Sequence, residues 1–232
     1  MPDAREVAVI IPAWNEADRI QATVGAASAI PGAGLVLVVD DCSRDGTARR
    51  AKEAGAAVMR HARNRGKGAA METGAQAVRL LDEQNGIPYR HLLFLDADLG
   101  ETAERAGPLA GPVLDGTADM TIAVFTATVK LGGHGMVVSL AGQGIKRATG
   151  WQPRQPLNGQ RCLTRAAFEA ARPLAHGFGI ETALTIDLMR RGMRITEVEV
   201  DLAHRATGTD LRAQLHRARQ LADVARALAT RR

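Results

Sequence analysis

The chain has 232 residues, 46% hydrophobic and 24% charged, the balance of a soluble globular protein long enough to close its own core. That composition excludes a disordered or fibrous chain, and no stretch approaches the about 20 consecutive apolar residues of a membrane span. The net charge of +5 is uneven: from Arg205 onward seven arginines stand against Asp210 and Asp223, leaving 23 basic and 23 acidic residues upstream.

The predicted elements begin with a strand over Val7 to Ile11, broken by Pro12, and a polar loop leading into a helix from about Ala17. Asp3, Arg5 and Glu6 ahead of that strand are unlike a secretory signal. "GLVLVVDDCSRDGTARRAKEAG" repeats the plan, with a continuous apolar strand from Leu35 to Val39, an Asp/Ser/Gly turn, and a helix ending near Gly55. Short strands are expected at Ala57 to Arg60 and Leu92 to Leu95, with a helix over Ala69 to Leu81 between them, and another strand at Met120 to Val124. Non-alternating apolar strands separated by helices read as βαβ units in a mostly parallel sheet, whose ligands sit at the carboxyl ends of the strands. Asn15, Asp40, Asp41, Asp96 and Asp98 all fall at such ends.

The second half is less regular. Leu131 to Gly150 carries six glycines and is expected to be a mobile segment over a site rather than a rigid helix throughout. A helix in "HGFGIETALTIDLMRRG" closes at Gly192, the strand "RITEVEVDL" follows, and a last helix over about 210–228 places Leu211, Leu215, Leu221, Val224 and Leu228 on one packing stripe. The basic C-terminal face is expected to be solvated, or to meet phosphates or lipid headgroups. Without an internal repeat or linker, the reading is one domain, with 1–100 as a nucleotide-binding half and 101–232 as an acceptor-side half.

Several chemical readings can be set aside. Cys42 and Cys162 give no disulfide framework and no four-ligand zinc site, so a reducing, cytoplasmic setting is the expectation, soluble or at most peripheral to a membrane. "NRGKGAA" is not a P-loop, because His61 stands where its first glycine belongs and Gly68 follows Lys67, and Met71 breaks a dinucleotide fingerprint. What remains is a basic turn (Arg63, Arg65, Lys67) before a helix, a place for an anion or simply a basic helix start. In "HLLFLDADLGE", Asp96 and Asp98 follow a buried strand; on an extended chain both carboxylates would leave on one face, roughly 7 Å apart. Such a pair calls for a cation, and hard carboxylate oxygens suit Mg²⁺ or Mn²⁺ with phosphates completing the shell, although a solvated acidic loop is the plain alternative. Asp40 suits a ligand contact to a base or ribose, and Asp45 capping or turn duties.

Taken together, "VIIPAWNE", "VVDDCSRDGT", "RNRGKGAA" and "LFLDADLG" resemble the nucleotide-binding half of the family 2 glycosyltransferases with the GT-A fold. "LNGQRCLTR", "GFGIE" and "HRATG" resemble the branch with glucosyl-3-phosphoglycerate synthases and polyprenyl-phosphate hexosyltransferases. The resemblance implies an α/β, Rossmann-like single domain that transfers a hexose from a nucleoside diphosphate sugar, UDP-sugar favoured, to a small-molecule or lipid-phosphate acceptor, with no role for nucleic acid. It implies that Asp40 reads the base, with Pro12, Ala13 and Glu16 lining its pocket, Lys67 near base and ribose, and Asp96 near the ribose. Asp98 and His204 would hold Mg²⁺ or Mn²⁺, Glu181 would face the acceptor as the catalytic residue, a base in an inverting reaction or a group that orients the acceptor or steadies the sugar in a retaining one, and Arg161, Arg165 and Arg205 are candidates for gripping the acceptor. A peripheral membrane contact and a homodimer stay open. Two rivals remain: a phosphatase with Asp96 as nucleophile, and a nucleotide-sugar binder without turnover.

Overall fold

The computed structural model describes residues 7–126, 135–202 and 211–231, the side chains of 211–217 excepted. Its strands are β1 (Val7–Ala13), β2 (Ala33–Asp40), β3 (Ala57–Arg60), β4 (His91–Phe94), β5 (Met120–Phe125), β6 (Arg161–Leu163) and β7 (Ile195–Val200). The helices are α1 (Ile20–Ser28), α2 (Thr47–Glu53), α3 (Lys67–Asn85), α4 (Gly111–Leu114), α5 (Gly135–Thr149), α6 (Arg165–Ala170), α7 (Ile180–Arg190) and α8 (Leu211–Ala229), with tighter 3₁₀ segments at Gly100–Leu109 and Gly177–Gly179. The strands form one seven-stranded sheet in the order β3-β2-β1-β4-β6-β5-β7.

The unbroken apolar runs exist because both faces of the sheet are covered. Alternate residues of β1 serve opposite cores: Val7, Val9 and Ile11 pack with Ile20, Val24 and Ala27 of α1, while Ala8 and Ile10 pack with Ala70, Met71 and Val78 of α3. Pro12 does not break the strand as expected; β1 runs through it in register with Val39. The Ile10 carbonyl points to β4, accepting from Leu95, and that of Ala13 points to β2, accepting from Asp41. By alternation the Pro12 nitrogen points toward β4, whose pairing with β1 stops at Phe94, so no ladder bond is lost.

β6 is the exception to the parallel plan, running antiparallel to both β4 and β5. It joins the first four strands to the β5–β7 pair and carries Arg161, 1% exposed, into the interior. The glycine-rich stretch also differs from expectation: residues 131–134 lie outside the described residues, but Gly135–Thr149 is a helix. Packing outweighs the glycine penalty there. Gly144 meets Leu228 so closely that a side chain would overlap it, and Val137 and Ala141 form a small core with Val224.

α8 lies across the Gly177–Gly179 turn. The Phe178 N–H donates to Asp223 Oδ2 at 3.1 Å, and a methyl on Gly177 would collide with that carboxylate. Arg231 grips Asp187 of α7 through two hydrogen bonds of 2.8 and 2.7 Å. Of the expected stripe, Val224 and Leu228 pack, whereas Leu221 is 36% exposed. Among the described residues no helix is long and apolar enough to cross a membrane.

Candidate active site

The loops leaving β1 and β2 are stitched together. Asn15 and Cys42 both take left-handed backbone conformations, with φ of 56° and 65°. The Asn15 N–H donates to Ser43 Oγ (2.9 Å) and its side-chain oxygen accepts from the Arg44 N–H (2.8 Å), while the Glu16 N–H donates to Thr47 Oγ1 (2.9 Å). Asp45 accepts from the N–H groups of Ala17 and Thr47, the turn duty expected of it. These bonds tie the loop after β1 to the loop after β2, next to the point where Ala13 stands opposite Asp40 in the sheet.

Asp40 is fully buried at the end of β2. Its Oδ1 accepts from the Ser43 N–H at 3.1 Å, and its Oδ2 faces Arg60 Nε at 3.1 Å without a geometrically sound hydrogen bond. A buried carboxylate oxygen lacking such a bond is unusual, and here the charge of Arg60 answers it. Arg60 is largely exposed and also donates to the Ser43 carbonyl at 2.8 Å, so it covers this acid from the solvent side.

Asp41, next in sequence, has a role that the sequence reading left unassigned. Its carboxylate accepts from the N–H groups of Arg65 (2.8 Å) and Gly66 (2.7 Å) and from His61 Nδ1 (2.7 Å). A carboxylate can only accept, so Nδ1 carries the proton and Nε2 faces Thr73 Oγ1 at 2.9 Å. The basic turn is thereby tied to β2, and Lys67 opens α3 at the cleft.

Lys67 is the centre of the site. Its Nζ donates to Asp96 Oδ1 at 2.8 Å and to Glu181 Oε1 at 3.1 Å, joining an acid after β4 to one in the first turn of α7. Burial alone would weaken the ammonium, but Asp96 and then Glu181 outweigh it and hold the Lys67 pKa above the ordinary lysine value. Gln160 donates from Nε2 to Asp96 Oδ2 at 2.8 Å and accepts the Asp96 N–H at 2.9 Å.

Asp96 and Asp98 do not continue an extended strand. β4 ends at Phe94, and residues 97 and 98 form a turn. Thr23 of α1 braces that turn, donating to the Ala97 carbonyl (2.8 Å) and accepting the Gly100 N–H (2.9 Å), and the Asp98 carbonyl accepts from Arg19 at 3.2 Å. Both acids are half-buried at the cleft. Their oxygen chemistry suits a hard divalent cation, although among the described residues no three His, Cys, Asp or Glu side chains cluster as a metal-holding group. His204 and Arg205 lie outside the described residues.

The acceptor-gripping expectation does not fit Arg161 and Arg165. Arg161 is fully buried, donating to the carbonyls of Asn158 (2.9 Å), Pro156 (3.1 Å) and Glu181 (3.0 Å) and to Thr185 Oγ1 (2.9 Å). Burial pushes its pKa down to about 10, against the pull of Glu181, and it supports the start of α7 from behind. Arg165 packs on α3, donating to the Ala75 carbonyl at 2.9 Å. The acids also lie apart from a largely apolar groove of about 580 Å³ between β3 and α3 lined by Met59, Ala77 and Leu80.

The sequence profile described as glycosyl transferase family 2 matches residues 8–169. The glycosyltransferase AglJ of Haloferax volcanii is 32% identical over 214 residues, spanning 90% of this chain and 67% of that protein. An uncharacterized protein of Methanocaldococcus jannaschii is 34% identical over 117 residues, 50% of this chain and 45% of its own. Among solved structures, glucosyl-3-phosphoglycerate synthase from Mycobacterium tuberculosis in complex with Mn²⁺, UDP and phosphoglyceric acid superposes with a TM-score of 0.73 at 25% identity, covering 97% of this chain and 78% of that one. A second crystal of that synthase, with UDP-glucose in place of UDP, superposes with a TM-score of 0.69 over 97% of this chain and 80% of that one.

Proposed function

Because the chain belongs to glycosyl transferase family 2, an enzyme family of nucleotide-sugar chemistry, we propose that this cleft transfers a hexose from a UDP-sugar to a hydroxyl or phosphate acceptor with the help of Mg²⁺ or Mn²⁺. The observation that carries the proposal is Lys67, whose single ammonium touches both Asp96 on the donor side and Glu181 on the acceptor side. The mycobacterial synthase crystallised with Mn²⁺, UDP and phosphoglyceric acid supports the donor and metal classes.

In this reading Asp40 receives the N–H edge of the base, with Pro12, Ala13 and Glu16 around it, and Asp96 meets the ribose. Asp98, with His204, would hold the divalent metal, which when bound supplies positive charge to the departing diphosphate. Lys67 stands near the base and ribose and offsets the charge of Asp96 and Glu181. Glu181 keeps one oxygen on Lys67 and turns its carboxylate to the acceptor, orienting the attacking hydroxyl; in an inverting course it also takes that proton. Arg205 is the remaining candidate for gripping a charged acceptor.

Lipid phosphate is the second acceptor class, favoured by the exposed Arg219 and Arg226 on α8 and the basic excess of this part of the chain. Binding to anionic vesicles that is lost in the Arg219→Gln, Arg226→Gln double variant would select it. The first test is calorimetric titration of UDP and GDP with and without Mn²⁺. Metal-dependent binding of UDP is the expected result; binding of neither nucleotide would return the question to an Asp96 phosphatase, read out as a covalent aspartyl-phosphate.

A further inference from the structure

We infer that Gln160 is a positioning residue that holds the Asp96 carboxylate in its donor-binding orientation, an inference that rests on the donor-site reading above. Asp96 and Gln160 are 64 positions apart, yet one primary amide meets Asp96 at two points, accepting its backbone N–H at 2.9 Å and donating to its Oδ2 at 2.8 Å. The two partners leave no ambiguity in the amide orientation: the N–H must face the oxygen and the carboxylate must face the nitrogen. Once both contacts form, rotation of Asp96 about its Cα–Cβ bond breaks one of them.

Gln160 is itself anchored. It is fully buried; its N–H donates to Asn158 Oδ1 at 2.9 Å and its carbonyl accepts the Ala123 N–H at 3.0 Å. Asn158 in turn donates to Gln155 Oε1 at 3.1 Å, and Gln155 exchanges hydrogen bonds of 3.2 Å with the N–H and carbonyl of Phe125. The clamp on Asp96 is thus rooted in β5. Gly159 completes the seat, because a side chain there would overlap Lys67 Nζ and press on both Asp96 oxygens. With Oδ2 held by Gln160 and Oδ1 by Lys67, the Asp96 carboxylate is held from two sides.

Gln160→Met keeps the side-chain volume and removes both hydrogen bonds. Gln160→Glu keeps an oxygen for the Asp96 N–H and sets a second carboxylate against Asp96. UDP is titrated into wild type and both variants at saturating Mn²⁺, well below each thermal midpoint so that only folded protein is compared. The expected result is UDP binding weakened about tenfold by Met and further by Glu, in that order, with the Mn²⁺ concentration for half-saturation unchanged because Asp98 is untouched. A packing role alone would shift the thermal midpoints and leave UDP affinity where it was. Wild-type affinity in both variants overturns the inference while leaving the donor site standing. If wild type itself binds neither UDP nor GDP, the donor-site reading falls and takes this role with it.

Discussion

One ammonium between two carboxylates sets what single substitutions at this site do. Glu181→Gln keeps the shape of the α7 start and its backbone bonds to Arg161 and Thr185, so UDP binding should persist while turnover falls by about 10²-fold or more; a donor titration beside a product assay separates the two. Asp98→Ala removes a half-buried acid from the cleft mouth. The expected outcome is loss of the Mn²⁺ dependence of UDP binding with an unchanged thermal midpoint, and undiminished Mn²⁺-dependent binding would remove Asp98 from the metal site. The Lys67 pKa is raised above its ordinary 10.5, so its stabilising contact is fully present below that pH and is lost only as pH climbs through the higher folded-state value. A rate profile that changes at neutral pH therefore reports other groups than Lys67. Lys67, Asp96 and Glu181, each beside a motif at an element boundary in the sequence, are brought into contact by the fold. The bracing contacts of Asp41, Thr23 and Gln160 were not legible in the sequence, because no motif marks them and each is defined by a hydrogen-bond partner in another segment.

Among the elements, those with local signals were the readable ones. β1, β2 and β5 announce themselves as apolar runs, and α3 by its length. The three-residue β6 is too short for any period, and its antiparallel sense follows from which strands it must join. Glycine content alone does not predict α5, because the Leu228 side chain that fills the space at Gly144 comes from α8, far along the chain. Thr23 of α1 ties down the turn holding Asp96 and Asp98 with one hydroxyl, beside Arg19 on the Asp98 carbonyl. Thr23→Val should leave the Gly100 N–H unpartnered and cost about 1–3 kcal/mol, measured by denaturant unfolding, with UDP affinity weakened as the acids lose their brace. On the other side, Asp223→Ala should lower turnover by loosening the turn before Glu181 while sparing UDP binding, since the donor acids rest on other elements.

At the scale of the molecule, the nucleotide-binding and acceptor-side halves of the sequence are not separate bodies. β4 of the first half pairs with β6 of the second, and the core that holds β1 also takes Val200 and Leu202. Heat or denaturant should therefore unfold the chain in one transition. Trp14 and Trp151 report on the two halves, so the fluorescence midpoints of Trp14→Phe and Trp151→Phe should coincide; two separated midpoints would show independent domains. The parallel βαβ plan was visible in the sequence because it is written strand by strand. The joining of the halves was not, because it resides in pairings between distant segments.

The docking of α8 on the Gly177–Gly179 turn carries a consequence for how the protein is made. The wall that shapes the turn before Glu181 comes from residues such as Asp223 and Ala227, more than forty positions later. During synthesis β1 to β4 emerge well before α8, so the turn at Gly177–Gly179 has to wait for α8 to leave the ribosome. A chain stalled before that point would leave the turn before Glu181 without its wall.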